Sequence, residues 1–213
     1  MGFIDKVSFE VHSGNGGPGC ISFHREKYIT KGGPDGGDGG KGGDVIFKTS
    51  KDLQTLLDLK HKKKLTAQNG QPGERRKRSG KKGSDIIIEI PCGTLIYDEN
   101  NTLIKDMVDE NDHFIAAKGG RGGLGNQNFA TARKKAPRYA QDGQEGEEKV
   151  IHLELRMIAE VGLVGFPNAG KSTLLKSLTK ANPKIAAYPF TTLHPNLGIL
   201  KFVDREIVIA DIP

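Results

Sequence analysis

Asp35-Gly36-Gly37-Asp38-Gly39-Gly40-Lys41-Gly42-Gly43 repeats with a strict period of three, and its reading decides the fold of the first part of the chain. Gly32-Gly33-Pro34 precedes it in a compatible frame. Gly119-Gly120-Arg121-Gly122-Gly123-Leu124 repeats the theme, and Gly14-Asn15-Gly16-Gly17-Pro18-Gly19 is a third patch. Three residues per turn is the period of the polyproline II helix, which has no internal hydrogen bonds. With glycine on two of its three faces, such a helix can lie against another backbone at close range. Collagen is excluded, because it needs many uninterrupted triplets and a proline-rich composition. A disordered glycine linker fits any one patch alone. Several patches of like period, bounded by strand-like segments, favour packed helices, whose hydrogen bonds to neighbours offset the high entropic cost of ordering glycine.

The segments around the patches read as strands. Residues 1–11 alternate, with Phe3, Val7, Phe9 and Val11 apolar. Asp44–Lys48, Asp85–Pro91, Thr94–Tyr97 and His113–Ala117 follow, with a short turn expected at Asp52–Lys60. Only Gly162, Gly165, Gly170 and Gly198 of the 29 glycines lie beyond residue 158. That break divides the chain into residues 1–158, mostly β and loop, and residues 159–213.

Charge points to a polyanionic partner. Lys60, Lys62, Lys63, Lys64, Arg75, Arg76, Lys77, Arg78, Lys81 and Lys82 stand against Glu74 alone in residues 60–82. Lys118 to Arg138 is a second acid-free stretch, and the net charge is +6. One basic run is as often a solvated loop, but two of them favour nucleic acid. Recognition would be of shape and phosphate, since the aromatic residues are scattered. Cys20 and Cys92 lie far apart without metal-ligand spacing, so neither a disulfide framework nor a zinc site is expected, and a reducing compartment is favoured. No apolar run approaches the ~18 residues of a membrane span. No signal pattern opens the chain, and Lys6 stands where an N-myristoylation signal needs Ser or Thr. A cytoplasmic monomer is expected.

The texture changes at residue 151. His152–Arg156 alternates, and Val161-Gly162-Leu163-Val164 reads as a short buried strand. Gly165-Phe166-Pro167-Asn168-Ala169-Gly170-Lys171-Ser172 then matches the P-loop pattern. Its glycines let successive N–H groups face a phosphate, and the helix beginning near Lys171 adds the positive end of its dipole. Lys171 reaches the β- and γ-phosphates, the Ser172 hydroxyl takes Mg²⁺, and Thr173 follows in the same turn. Leu174, Leu175 and Leu178 mark the helix's apolar face. Strands are expected at Gly198–Val203 and Glu206–Ala210, which makes this the opening of an α/β P-loop domain.

Two further pieces narrow the class. Tyr188-Pro189-Phe190-Thr191-Thr192 is a polar loop in which a threonine can offer its hydroxyl to Mg²⁺ and its N–H to a γ-phosphate. Thr192 is the first choice and Thr191 the second. Asp211-Ile212-Pro213 follows an apolar run, which puts the aspartate at the nucleotide crevice, where it can hold Mg²⁺ through a water.

GFPNAGKS, YPFTT and DIP in this order, behind the glycine patches and Phe23-His24-Arg25-Glu26-Lys27, resemble the Obg (CgtA) family of GTPases across the whole chain. The resemblance implies a multidomain protein: a glycine-rich Obg fold of polyproline II-like helices on a small β-barrel, then a Ras-like G domain. It also implies GTP hydrolysis to GDP and phosphate, a role on the large ribosomal subunit and its rRNA during assembly, and an Asn-Lys-x-Asp guanine-reading element beyond residue 213. Guanine over adenine rests on the resemblance alone. The 213-residue chain by itself is expected to bind GTP weakly or not at all, and not to turn it over. In related GTPases with Pro-Asn in this loop the asparagine helps hold an activating K⁺. Asn168 would then be its ligand here, or else simply a turn residue. Two rivals stand beside this reading: a P-loop ATPase or kinase, and a non-enzymatic rRNA-binding module whose partial G domain is inactive.

Overall fold

The computed structural model describes residues 4–25, 32–156, 161–166, 169–179, 184–185, 196–202 and 205–211. The first unit is built on β1 (Lys6–His12), β2 (Val45–Ser50), β3 (Lys64–Thr66), β4 (Ile86–Pro91), β5 (Thr94–Tyr97), β6 (Leu103–Met107), β7 (His113–Ala117) and β8 (Glu148–Leu155). They form a five-stranded sheet in the order β3-β1-β8-β5-β6 and a three-stranded sheet in the order β4-β2-β7. Alternation fixes which face is buried: Val7, Phe9 and Val11 point inward from β1, and Val45 and Phe47 from β2. Both sheets feed one apolar core, joined by Ile88 and Ile90, by Ile151, Leu153 and Leu155, and by Leu56 and Leu59 around a short 3₁₀ turn. Phe9 and Phe47 meet across it with ring centroids 6.0 Å apart.

The glycine segments are ordered by hydrogen bonds to one another, spaced every third residue. Residues 13–20 donate from Gly14, Gly17 and Cys20 to the carbonyls of Gly43, Gly40 and Gly37. In the other phase they donate from Ser13, Gly16 and Gly19 to Glu147, Gln144 and Gln141. Residues 35–44 donate from Gly37, Gly40 and Gly43 to Glu74, Gln71 and Gln68, and from Gly39 and Gly42 to Gly123 and Gly120. Lys77, Gly80 and Gly83 donate back to Asp35, Asp38 and Lys41, while Gly120, Gly123 and Asn126 donate to Gly14, Gly17 and Cys20. Each face of a segment therefore meets a different neighbour. The backbones lie so close that a Cβ on Gly42 would sit 1.9 Å from the Gly14 carbonyl oxygen.

Side chains finish the network where it meets the strands. Asn126, fully buried, accepts the Gly36 N–H at 2.9 Å and donates to the Ser22 and Pro137 carbonyls at 3.0 and 3.1 Å. The Asp44 carboxylate takes the Lys41 ammonium and the Gly119 N–H, both within 2.7 Å. Asp85 takes the Asp44 N–H at 2.7 Å and the Lys82 ammonium at 2.8 Å. Burial is the largest influence on Asp44 and pushes its pKa up, yet the Lys41 ammonium and the Gly119 N–H outweigh it and hold the pKa below the ordinary value. The Asp44 N–H and then Lys82 hold Asp85 down as well. Both groups are more acidic folded than unfolded. Their stabilisation is complete above the ordinary aspartate range and is lost as pH falls through the lowered folded values. Melting temperature is thus expected to drop on acidification below that range, and less steeply in Asp44→Asn. Parallel curves for the two proteins would contradict this.

Thr94–Tyr97 and His113–Ala117 match the foreseen strands residue for residue, and those foreseen at 44–48 and 85–91 shift at their ends by a residue or two. The strand read over residues 1–11 is β1, Lys6–His12. Strands β3 and β6 are additions. In β6, Leu103 and Ile104 are both exposed, so it lacks the alternation that would reveal it. It is set instead by the turn after β5, where the Asp98 carboxylate accepts the Asn100 and Thr102 N–H groups and Asn101 takes a positive φ of 59°.

The second unit has β9 (Val161–Leu163), α1 (Lys171–Leu178), β10 (Lys184–Ile185), β11 (Asn196–Phe202) and β12 (Arg205–Asp211), in the sheet order β10-β11-β12-β9. β11 and β12 form an antiparallel hairpin, and β12 runs parallel to β9. Two expectations are corrected. Val161 and Val164 are exposed rather than buried, because β9 is an edge strand with β12 as its one partner among the described residues. Leu174 and Leu178 are exposed too. Leu175 alone of the three is buried, since the helix has β11 and β12 on one side only.

Candidate nucleotide-binding site

The site lies where β9, α1 and β12 converge. Gly165 and Phe166 follow β9, and Phe166 is 87% exposed. Gly170 caps the N-terminus of α1 with φ 84°, a conformation that favours glycine, and its carbonyl accepts the Leu174 N–H at 2.9 Å. Ala169 N–H reaches the Phe166 carbonyl at 3.3 Å, which closes the bend. Lys171, Ser172 and Thr173 form the first turn of the helix, whose free N–H groups point toward the loop. The Lys171 ammonium turns back over the bend and donates to the carbonyls of Gly165 at 2.8 Å and Phe166 at 3.2 Å.

Ser172 hydrogen-bonds Asp211 across the site, although the two are far apart in sequence. Asp211 ends β12 in register with Leu163, and its residue is 5% exposed. One carboxylate oxygen receives Ser172. The other, Oδ1, is buried with no hydrogen-bond partner. An orphaned carboxylate oxygen normally carries a sizeable desolvation cost, and a hard cation relieves it. A hydroxyl beside a buried carboxylate is an all-oxygen donor set, so these residues fit Mg²⁺. Of the remaining residues expected here, Pro167, Asn168, Phe190, Thr191, Thr192, Ile212 and Pro213 lie outside the described residues.

Residues 4–157 match the family model described as GTP1/OBG, and residues 160–213 match one described as 50S ribosome-binding GTPase. The chain belongs to the GTP1/OBG family. Among its relatives, the GTPase Obg of Aquifex aeolicus is 57% identical over 213 residues, covering 99% of this chain and 62% of that protein. The GTPase Obg of Pelodictyon phaeoclathratiforme is 53% identical over 215 residues, covering all of this chain and 64% of that protein. The GTPase Obg of Chlorobaculum tepidum is 54% identical, with the same coverage. This member therefore spans less than two thirds of the length of these relatives.

Outside the candidate nucleotide site, the basic run at residues 60–82 of this GTP1/OBG chain holds a tight turn that the sequence did not announce. Glu74 N–H reaches the Arg78 carbonyl at 2.9 Å, and Arg76 and Lys77 at the tip both have φ near 60°. Two successive positive φ values suit Asn-Gly, so a local preference is overridden here. Arg75, Arg76 and Arg78, with Cys20, Gly73 and Glu74, line an open cavity of about 460 Å³. Among the described residues none of the three arginines has a carboxylate partner. A second basic segment holds an aromatic pair that sequence inspection missed: Phe129 and Tyr139 stand 4.9 Å apart, with the Lys134 ammonium 4.3 Å from the Tyr139 ring centre. Among the described residues no helix is long and apolar enough to cross a membrane.

Proposed function

We propose that the intact protein is a cytoplasmic, monomeric Mg²⁺-dependent GTPase that works on the large ribosomal subunit during its assembly. The observation that carries this reading is the Ser172–Asp211 pair with its orphaned buried oxygen, beside a lysine held on loop carbonyls. Residues 1–158 are read as the Obg domain, polyproline II-like glycine helices on a small β-barrel, and residues 159–213 as the first part of the G domain. The three-residue spacing of the hydrogen bonds and the core shared by two sheets support that reading.

Hydrolysis of GTP to GDP and phosphate proceeds by positioning and charge neutralisation. The Lys171 ammonium exchanges its carbonyl partners for the β- and γ-phosphate oxygens. The backbone N–H groups along residues 165–172, Pro167 excepted, and the first turn of α1, through Thr173, cradle the same oxygens. Ser172 and Thr192, with Thr191 as the second choice, would hold Mg²⁺, and Asp211 would do so through a water. When bound, the ion neutralises charge on the phosphate oxygens. Phe190, Ile212 and Pro213 complete the nucleotide's surroundings, and Asn168 with Pro167 offers a K⁺ site. Competition in the intact protein tests the substrate: excess ATP should leave a labelled GTP analogue in place. Equal displacement by ATP would favour the ATPase or kinase reading.

The rRNA partner rests on charge, and the matched family's description as ribosome-binding supports it. The guanidiniums of Arg75, Arg76 and Arg78, which have no carboxylate partner among the described residues, suit RNA phosphates. Replacing all three with alanine should weaken binding of the intact protein to rRNA fragments. The slope of log affinity against log salt should shrink by about 2–3, with GTP binding unchanged. An unaltered slope in a fluorescence anisotropy titration would remove this turn from the interface.

A further inference from the structure

Gly198 lies in the middle of β11, opposite Ile209 of β12, and is buried. Glycine in a strand interior weakens the strand unless something approaches closely. What approaches is the C-terminal end of α1. A Cβ on Gly198 would stand 2.5 Å from Thr179 Cγ2, 2.8 Å from Thr179 Oγ1 and 3.0 Å from Leu175 Cδ1. None of these atoms can swing aside cheaply. Thr179 is 1% exposed and β-branched, and its hydroxyl donates to the Leu175 carbonyl at 2.6 Å, so rotating χ1 breaks that bond. Leu175 is fully buried.

The other end of the same short helix carries Ser172, held against Asp211 at the end of β12. Helix α1 thus rests on the sheet at two places: Ser172 on β12 near its start, and Thr179 on β11 at its end. We propose that Gly198 is a positioning residue for the nucleotide site: the missing side chain lets the far end of α1 sit down on the sheet, and this keeps the Ser172 hydroxyl on the Asp211 carboxylate. The inference rests on the proposed nucleotide reading. Ordinary contact begins near 3.4 Å. A methyl group on Gly198 therefore opens the Thr179 contact by about 1 Å, a displacement of the size that costs a site ~10²-fold in function.

The test measures equilibrium binding of a fluorescent GTP analogue to the intact protein, with Mg²⁺ and with chelator. The tightening by Mg²⁺ is the readout, because loss of fold alone would weaken both conditions together. Gly198→Ala should bind like wild type in chelator, within about twofold, and lose at least about tenfold of the Mg²⁺ tightening. Removing the opposing atoms in Gly198→Ala/Thr179→Ala should restore it, with Thr179→Ala alone as the reference. Full Mg²⁺ tightening in Gly198→Ala would overturn the proposal, as would a double variant that folds without recovering it. If Gly198→Ala does not fold, the double variant decides alone: tightening as in Thr179→Ala supports the contact, and its loss overturns it. An empty wild-type protein would instead sink the nucleotide reading, and this inference with it.

Discussion

Lys171→Ala in the intact protein is expected to lower kcat/KM for GTP about 10²- to 10³-fold while leaving the fold in place. Among the described residues the ammonium has no carboxylate partner and donates to the Gly165 and Phe166 carbonyls. Losing two exposed hydrogen bonds costs the folded state little, on the order of 1 kcal/mol. The charge lost from the phosphates is another matter, because a preorganised donor in a sheltered site is worth far more during reaction than in water. Arginine should not substitute, since its wide planar fork does not replace a compact ammonium as a point charge. Steady-state phosphate release, read beside circular dichroism melting, checks both halves. A loss under tenfold would mean that this lysine does not meet the transferred phosphate.

Gly42→Ala should be among the most damaging single substitutions in the chain. Its new Cβ would lie 1.9 Å from the Gly14 oxygen, 2.3 Å from the Gly14 carbonyl carbon and 2.9 Å from the Asn15 oxygen, all of them backbone. Gly42 also donates to Gly120 at 2.9 Å, so moving it away opens a second contact. Overpacking usually costs about 1–3 kcal/mol when side chains can give way. Here only main chain stands in the way, and a loss above about 4 kcal/mol is expected. Gly33→Ala is the matched control: among the described residues nothing lies within 4 Å of its Cβ, and the change should be neutral or gain a few tenths of a kcal/mol. Denaturant unfolding of the two variants should separate them clearly. Equal stability would refute the close-approach account of the glycine segments.

The period of three was legible at residues 35–43, where glycines are doubled, but the partners of those triplets were not. Gly70 and Gly73, and again Gly80 and Gly83, keep the same spacing with one glycine per triplet, in a segment dominated by Lys and Arg. Charge drew attention away from spacing, and the run looked like a basic loop. Physically it is both: its glycines pack against residues 35–44, and its cations face solvent. Gly143 and Gly146 are the same signal in fainter form. At the candidate site, residue type and order singled out Lys171, Ser172 and Asp211, and the fold brings Ser172 and Asp211 together beside the bend that Lys171 closes. Packing is subtler. Gly198 and Thr179 meet through the sheet's geometry, and the sequence hint was a lone glycine inside an apolar strand. The Arg76-Lys77 tip was invisible because its backbone contradicts the preference of its own residues.

Glycine serves the two units in different ways. In the first, close approach builds a rigid lattice that projects a basic turn. In the second, Gly170 and Gly198 bring amides, a hydroxyl and a carboxylate to one point.

Titration of the intact protein with a fluorescent GTP analogue tests that convergence most directly. Micromolar or tighter binding is predicted, weakened at least about tenfold by chelating Mg²⁺, with Asp211→Asn losing most of that Mg²⁺ dependence. A protein that stays empty in Mg²⁺ with both GTP and ATP would contradict the account and leave the basic glycine domain to explain the function by itself.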